Sequence, residues 1–172
     1  MDLERHKEQV RLKRNENITF FKRLKKTNPQ KLDALIHPLH EEVFACTDCL
    51  KCANCCKTTS PLFSGKDIKR ISKYLRLSPQ ELEESYLKRD SDEYFVLKKS
   101  PCVFLGDDNY CSIYSVRPKA CQGFPHTNRR RQHQILDLTR ANTEVCPAAF
   151  EIVDQLKKKL NLNKPDRSGN KY

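Results

Sequence analysis

The sequence is poor in glycine, with four in 172 residues. It holds no Gly-rich loop that could cradle the phosphates of a nucleotide. No stretch is apolar enough or long enough to span a bilayer. The opening segment, MDLERHKEQVRLKRNEN, lacks the apolar run of a secretory signal. The expected location is therefore the cytosol, with no membrane partner. Reducing conditions there disfavour disulfides, and nine cysteines cannot all pair within one chain. The C-x-x-x-C-x-x-C loop of radical enzymes is absent. So is the βαβ pattern that would set a C-x-x-C in a thioredoxin-like couple. No internal repeat is visible, and no acid–base pair or nucleophile constellation, so catalysis is not legible. Iron–sulfur oxidoreductase chemistry stays open.

Charge is present in excess, at +11 net, but unevenly. Residues 1–30 carry nine Lys or Arg against four Asp or Glu, and residues 155–172 carry six against one. Residues 31–154 are nearly balanced, eighteen against seventeen. The basic ends read as solvated segments able to contact RNA or an acidic protein surface. The RRR run at Arg129–Arg131 could extend such a patch.

Periodicity gives a helix-rich α+β fold with three parts. Residues 1–30 form a charged helical extension. Residues 31–160 form the body, which carries all nine cysteines, and 161–172 are a flexible basic tail. Leu32, Leu35, Ile36, Leu39 and Val43 recur at helical spacing, with Pro38 expected to kink or interrupt the helix. Ser64 with Asp67, and Ser78 with Glu81, have capping-box spacing. YFVLKKSPCVFL and YCSIY flank GDDN and read as a small hairpin. Pro118 opens a short helical turn, part of FPHTNRRRQHQILDL is expected to join the hairpin as a strand, and Pro147 opens the last helix.

Five cysteines crowd into CTDCLKCANCC: Cys46, Cys49, Cys52, Cys55 and Cys56. Consecutive C-x-x-C units point sulfurs to one side, the spacing of zinc and iron–sulfur sites. Cys102, Cys111 and Cys146 follow beside turn formers, and Cys121 lies in RPKAC. An extended run here would aim the adjacent Cys55 and Cys56 in opposite directions. Scattered partners tilt the reading to iron–sulfur over zinc. Arg117 is placed to offset thiolate charge or hydrogen-bond a sulfur. His126 and Cys46 are candidate additional ligands. His37 and His40 read as surface residues, and Tyr114, Phe124 and Phe104 as walls that keep water away.

CLKCANCC, PCVFL, CSIYSVRPKACQGFP and the final CP resemble the YkgJ-type cysteine-cluster family, a zinc- or iron-chelating domain, over about residues 44–150. The resemblance implies eight metal ligands: Cys49, Cys52, Cys55, Cys56, Cys102, Cys111, Cys121 and Cys146. A similar domain occurs in flagellin lysine methylases, which implies an iron–sulfur cluster, 4Fe–4S ahead of other types, with zinc as the alternative. Three functions fit. One is an iron–sulfur protein with a redox or enzyme-accessory role. The second is a zinc-stabilised module binding RNA or ribonucleoprotein through its basic ends. The third is a metal carrier or sensor.

Overall fold

A computed structural model describes residues 2–160. In chain order the elements are α1 Leu3–Leu12, α2 Arg14–Leu24, α3 Pro29–Ala45, α4 Cys49–Cys52, α5 Asn54–Thr58, α6 Gly65–Leu75, α7 Pro79–Tyr86, β1 Leu87–Arg89, β2 Phe95–Leu97, α8 Lys119–Gly123, α9 Leu136–Val145 and α10 Pro147–Leu160. Short 3-10 helices lie at Tyr114–Val116 and Gln132–Ile135. The fold is helix-rich α+β with a two-stranded antiparallel sheet. No helix among the described residues is long and apolar enough to cross a membrane. The basic tail expected over 161–172 lies outside the described residues.

Two compact units form. Among the described residues, one takes in 2–47 and 125–160; the other is Asp48–Phe124. In the first, α2, α3, α9 and α10 bury Phe20, Phe21, Leu24, Leu32, Ile36, Leu39, Leu136, Ile152, Val153 and Leu156 in one core. The expected single N-terminal helix is two, because Lys13 leaves helical geometry at φ −93°, ψ 7°. Pro38 does not interrupt α3, which continues through it; Leu32 and Ile36 before it and Leu39 after it are buried in the same core. The strand expected in FPHTNRRRQHQILDL is a 3-10 turn leading into α9. The cause is non-local. Asp33 on α3 accepts from the backbone N–H of Arg131 and Gln132 at 2.7 and 2.9 Å, capping that turn from another helix. His37 and His40 follow Asp33 at helical spacing and are half-buried rather than exposed. The His37 ring meets the Arg129 carbonyl at 3.0 Å and the His40 ring meets the Thr127 hydroxyl at 2.7 Å.

Lys157 is 2% exposed in this core. Its ammonium lies 2.7 Å from Glu16, 3.9 Å from Asp154 and 5.9 Å from the Phe20 ring centre. Glu16→Ala would leave only the more distant Asp154 carboxylate, and because Glu16 is itself 43% exposed, urea unfolding should show a loss of about 1–2 kcal/mol, less than for a fully buried pair. Lys157→Met removes the buried charge and leaves Glu16 able to meet water, so it should cost less than about 1 kcal/mol.

The Asp48–Phe124 unit is built on Phe63, Ile68, Ile71, Leu82, Leu87, Leu97, Phe104 and Ile113. Both capping boxes form as the sequence predicts: Ser64 with Asp67, and Ser78 with Glu81. The hairpin differs from expectation. Leu87–Arg89 pairs with Phe95–Leu97 in the register Leu87–Leu97, Lys88–Val96, Arg89–Phe95. Across the GDDN turn only the Leu105–Cys111 bridge forms. Burial of Leu87 and Leu97 on one face fixes the observed pairing.

Candidate metal centre

The CLKCANCC segment is not an irregular loop. Asp48 caps α4 by accepting from the N–H of Leu50 and Lys51 at 3.0 and 3.4 Å. That turn places Cys49 and Cys52 three residues apart, on one helical face. Ala53 then adopts the left-handed conformation at φ 47° and the chain restarts as α5. Across this junction Cys49 feels the charge of Cys56. Cys55 and Cys56 do not diverge as an extended chain would make them: the Cys55 thiol hydrogen-bonds to the Cys56 sulfur.

Later cysteines are tied to this turn by backbone. The N–H of Cys102 donates to the Cys56 carbonyl at 2.8 Å. The Ser100 hydroxyl donates to the Lys57 carbonyl at 3.2 Å, and the Leu97 N–H to the Ser60 hydroxyl at 2.8 Å. Cys102 and Cys111 both lean on the apolar core of this unit. Cys121 stands in α8, whose start is held by Asp67. That carboxylate accepts from the Lys119 N–H at 3.1 Å and from Arg70 at 2.6 Å. Arg70 in turn donates to the carbonyls of Val116 and Arg117 at 3.3 and 2.9 Å. A buried acid on α6 and its arginine thus clamp the RPKAC turn, with Cys121, onto the rest of the unit. No sequence motif marked Asp67 for this beyond its capping box.

The thiols share one electrostatic neighbourhood. Burial pushes Cys121 up to about 12, and the charges of Cys56, Cys102 and Cys111 add to the rise. Burial likewise pushes Cys102 up to about 11, with a backbone hydrogen bond from Phe104 opposing and the charges of Cys56 and Cys111 adding. Cys111 and Cys49 are also raised, first by burial; Cys56 contributes to both, and Cys52 and Asp48 to Cys49. Cys56 goes down, to about 7, mainly through the Cys55 hydrogen bond, against burial and with help from Lys57. Its charge acts on Cys49, Cys102, Cys111 and Cys121 alike, beside those of Cys52, Cys102 and Cys111. Arg117 supplies the opposing field, lowering Cys49, Cys111 and Cys121. Its own hydrogen bond goes to the Tyr114 carbonyl at 2.7 Å, and its guanidinium lies 3.9 Å from the Tyr114 ring centre.

Tyr114 is 40% exposed, so it underlies Arg117 instead of shutting out water. Phe104 is buried against Tyr86, and Phe124 is half-buried. Cys46 and Cys146 belong to the other unit. Cys46 is exposed at the end of α3. Cys146 opens α10, and its sulfur accepts from the Ala149 N–H at 3.5 Å. His126 is half-buried there at φ 66°, lowered by burial and by Arg129. No disulfide joins any of the cysteines. Among the described residues, no three His, Cys, Asp or Glu side chains are set in a finished metal-holding arrangement.

The donor set is nevertheless that of a soft-metal site. The Asp48–Phe124 segment contains seven cysteines and no histidine. Sulfur-only donors select zinc, copper(I) or iron–sulfur clusters. Charging several of these thiols without a cation is opposed by burial and mutual repulsion. The CxxCxxCC family, described as "Putative zinc- or iron-chelating domain", matches residues 48–147. That description supports binding of zinc or iron by this part of the chain. No solved structure matches the chain.

Proposed function

With the chain belonging to the CxxCxxCC family of zinc- or iron-chelating domains, we propose that it holds an iron–sulfur cluster of the 4Fe–4S type in a redox or enzyme-accessory role. The observation that supports this reading is that the thiols of Cys49, Cys102, Cys111 and Cys121 each feel the charge of Cys56, with sulfur as the donor throughout. Cys49, Cys52, Cys55, Cys56, Cys102, Cys111 and Cys121 are the proposed ligand pool in this unit. Cys146 joins the proposal through the family motif, which runs to residue 147. A bound cluster supplies one-electron chemistry. The chain's own part is to hold thiolates in place, offset their charge with Arg117, and lock the Cys121 arm through Asp67 and Arg70.

Anaerobic purification with analysis of iron, acid-labile sulfide and zinc tests the reading. Iron and sulfide in equal amounts with broad visible absorption is the expected result. Colourless protein with stoichiometric zinc would replace the cluster by a zinc-stabilised module. Protein that takes up neither metal when reduced would end the proposal.

Affinity should also depend steeply on pH. Cys102 near 11 and Cys121 near 12 are protonated at neutral pH, and ligation requires thiolates. If both ligate, binding releases at least two protons, so apparent affinity should rise about 100-fold per pH unit and weaken as pH falls. Chelator competition at several pH values reads this slope.

A further inference from the structure

We propose that the outer face of α6 is a docking surface for single-stranded nucleic acid, independently of which metal the thiols hold. Lys66, Lys69 and Lys73 are exposed, and at 3.6 residues per turn they fall within an arc of about 60°. Arg76, exposed just past the helix end, extends the row to a length of about 15 Å. Among the described residues none of the four has a carboxylate partner. The sole acid of α6, Asp67, faces inward and is taken by Arg70. On the neighbouring α7, Glu81 is used in its capping box and Glu84 by Gln80, while Glu83 is half-buried and forms no ion pair with these cations.

One of these cations stands where the helix dipole disfavours its charge, and another in a backbone conformation that its side chain disfavours. Lys66 is the second residue of α6, where the positive end of the helix dipole repels a cation. Arg76 is left-handed at φ 60°, ψ 39°, a position that suits glycine. An unpaired cationic row is complementary to a phosphodiester backbone. Tyr74, 51% exposed on the flank of the same helix, offers a π-face on which a base can stack. That feature favours a single strand over a duplex or an acidic protein, neither of which presents free bases.

The test is fluorescence anisotropy of the full-length protein with a labelled oligo(U) strand across a salt series from about 50 to about 200 mM. Four phosphate contacts should give a log–log salt slope of about −3. The triple variant Lys66→Glu, Lys69→Glu, Lys73→Glu should bind at least about tenfold more weakly, with the slope reduced by about 2. The milder Lys→Gln triple should move in the same direction. Tyr74→Ala should weaken binding about tenfold while leaving the slope unchanged, because stacking involves no counterion. Absent binding by the parent protein overturns the proposal. So does unchanged binding by both triple variants, which would assign it to the basic ends or to Arg129–Arg131. Displacement of oligo(U) by polyglutamate as readily as by unlabelled oligo(U) also overturns it. Metal content measured on the same samples should be equal throughout, so the outcome does not depend on the metal reading.

Discussion

Cys56→Ser is expected to reduce bound metal to less than about a tenth of the parent level, since a hydroxyl is a poor replacement for thiolate on a soft metal. Cys46→Ser should leave the content unchanged. The contrast follows from position. Cys56 takes the Cys55 hydrogen bond, and its charge reaches Cys49, Cys102, Cys111 and Cys121. Cys46 is exposed and outside this group. Serine is close in shape to cysteine and leaves the Cys56 carbonyl free to keep its bond from Cys102. A loss would therefore report the missing sulfur and not a broken turn. Metal binding in such units is also folding free energy, so the Cys56 variant should melt at a lower temperature. Full metal content in purified Cys56→Ser protein would show that the centre is organised around other thiols.

Asp67→Ala should produce the largest loss of stability from a single non-cysteine change, about 4 kcal/mol from a broken buried ion pair together with a lost helix cap. Its side chain is 3% exposed and lies 2.6 Å from Arg70. It also accepts from the Ser64 N–H at 3.0 Å and the Ser64 hydroxyl at 2.6 Å. Burial alone would raise this carboxyl. The bonds from Ser64, Arg70 and the Lys119 backbone outweigh burial and leave it lowered.

The sign follows by linkage. A carboxyl lowered in the folded state stabilises at every pH above its unfolded value, and loses that contribution as pH falls through the folded value. Urea unfolding at neutral pH should show the full deficit of the alanine variant, and the gap to the parent should narrow below about pH 4. Thiol labelling gives a second readout. Cys121 should react several-fold faster in Asp67→Ala protein, while Cys49, on a turn capped by Asp48, should not change. An unchanged Cys121 rate would mean that the clamp does not position α8.

Wherever the signal was local, the sequence could be read directly. Ser64 with Asp67 and Ser78 with Glu81 sit three residues apart, and the capping box needs nothing further away. Pro118 stands just before α8 and Pro147 is the first residue of α10, because a fixed φ and a missing N–H suit a helix start. The thiol pattern and the family it belongs to were legible for the same reason, as ligand spacing is written along the chain.

What the sequence by itself determined was therefore the helix-rich α+β class, the capped helix starts and the sulfur chemistry. Tertiary structure alone decided that Leu87 would pair with Leu97, that Asp33 would turn the Arg129–Gln132 segment into a helix entry, and that Asp67 and Arg70 would anchor the arm bearing Cys121. It also decided that the chain would turn left-handed at Ala53, before α5, in which the Cys55 thiol meets Cys56. Each of these depends on a partner distant in sequence or on a backbone conformation that alanine seldom adopts. Local propensity contains no information about which distant group will fill a bond, and burial chooses that partner only once the chain has closed.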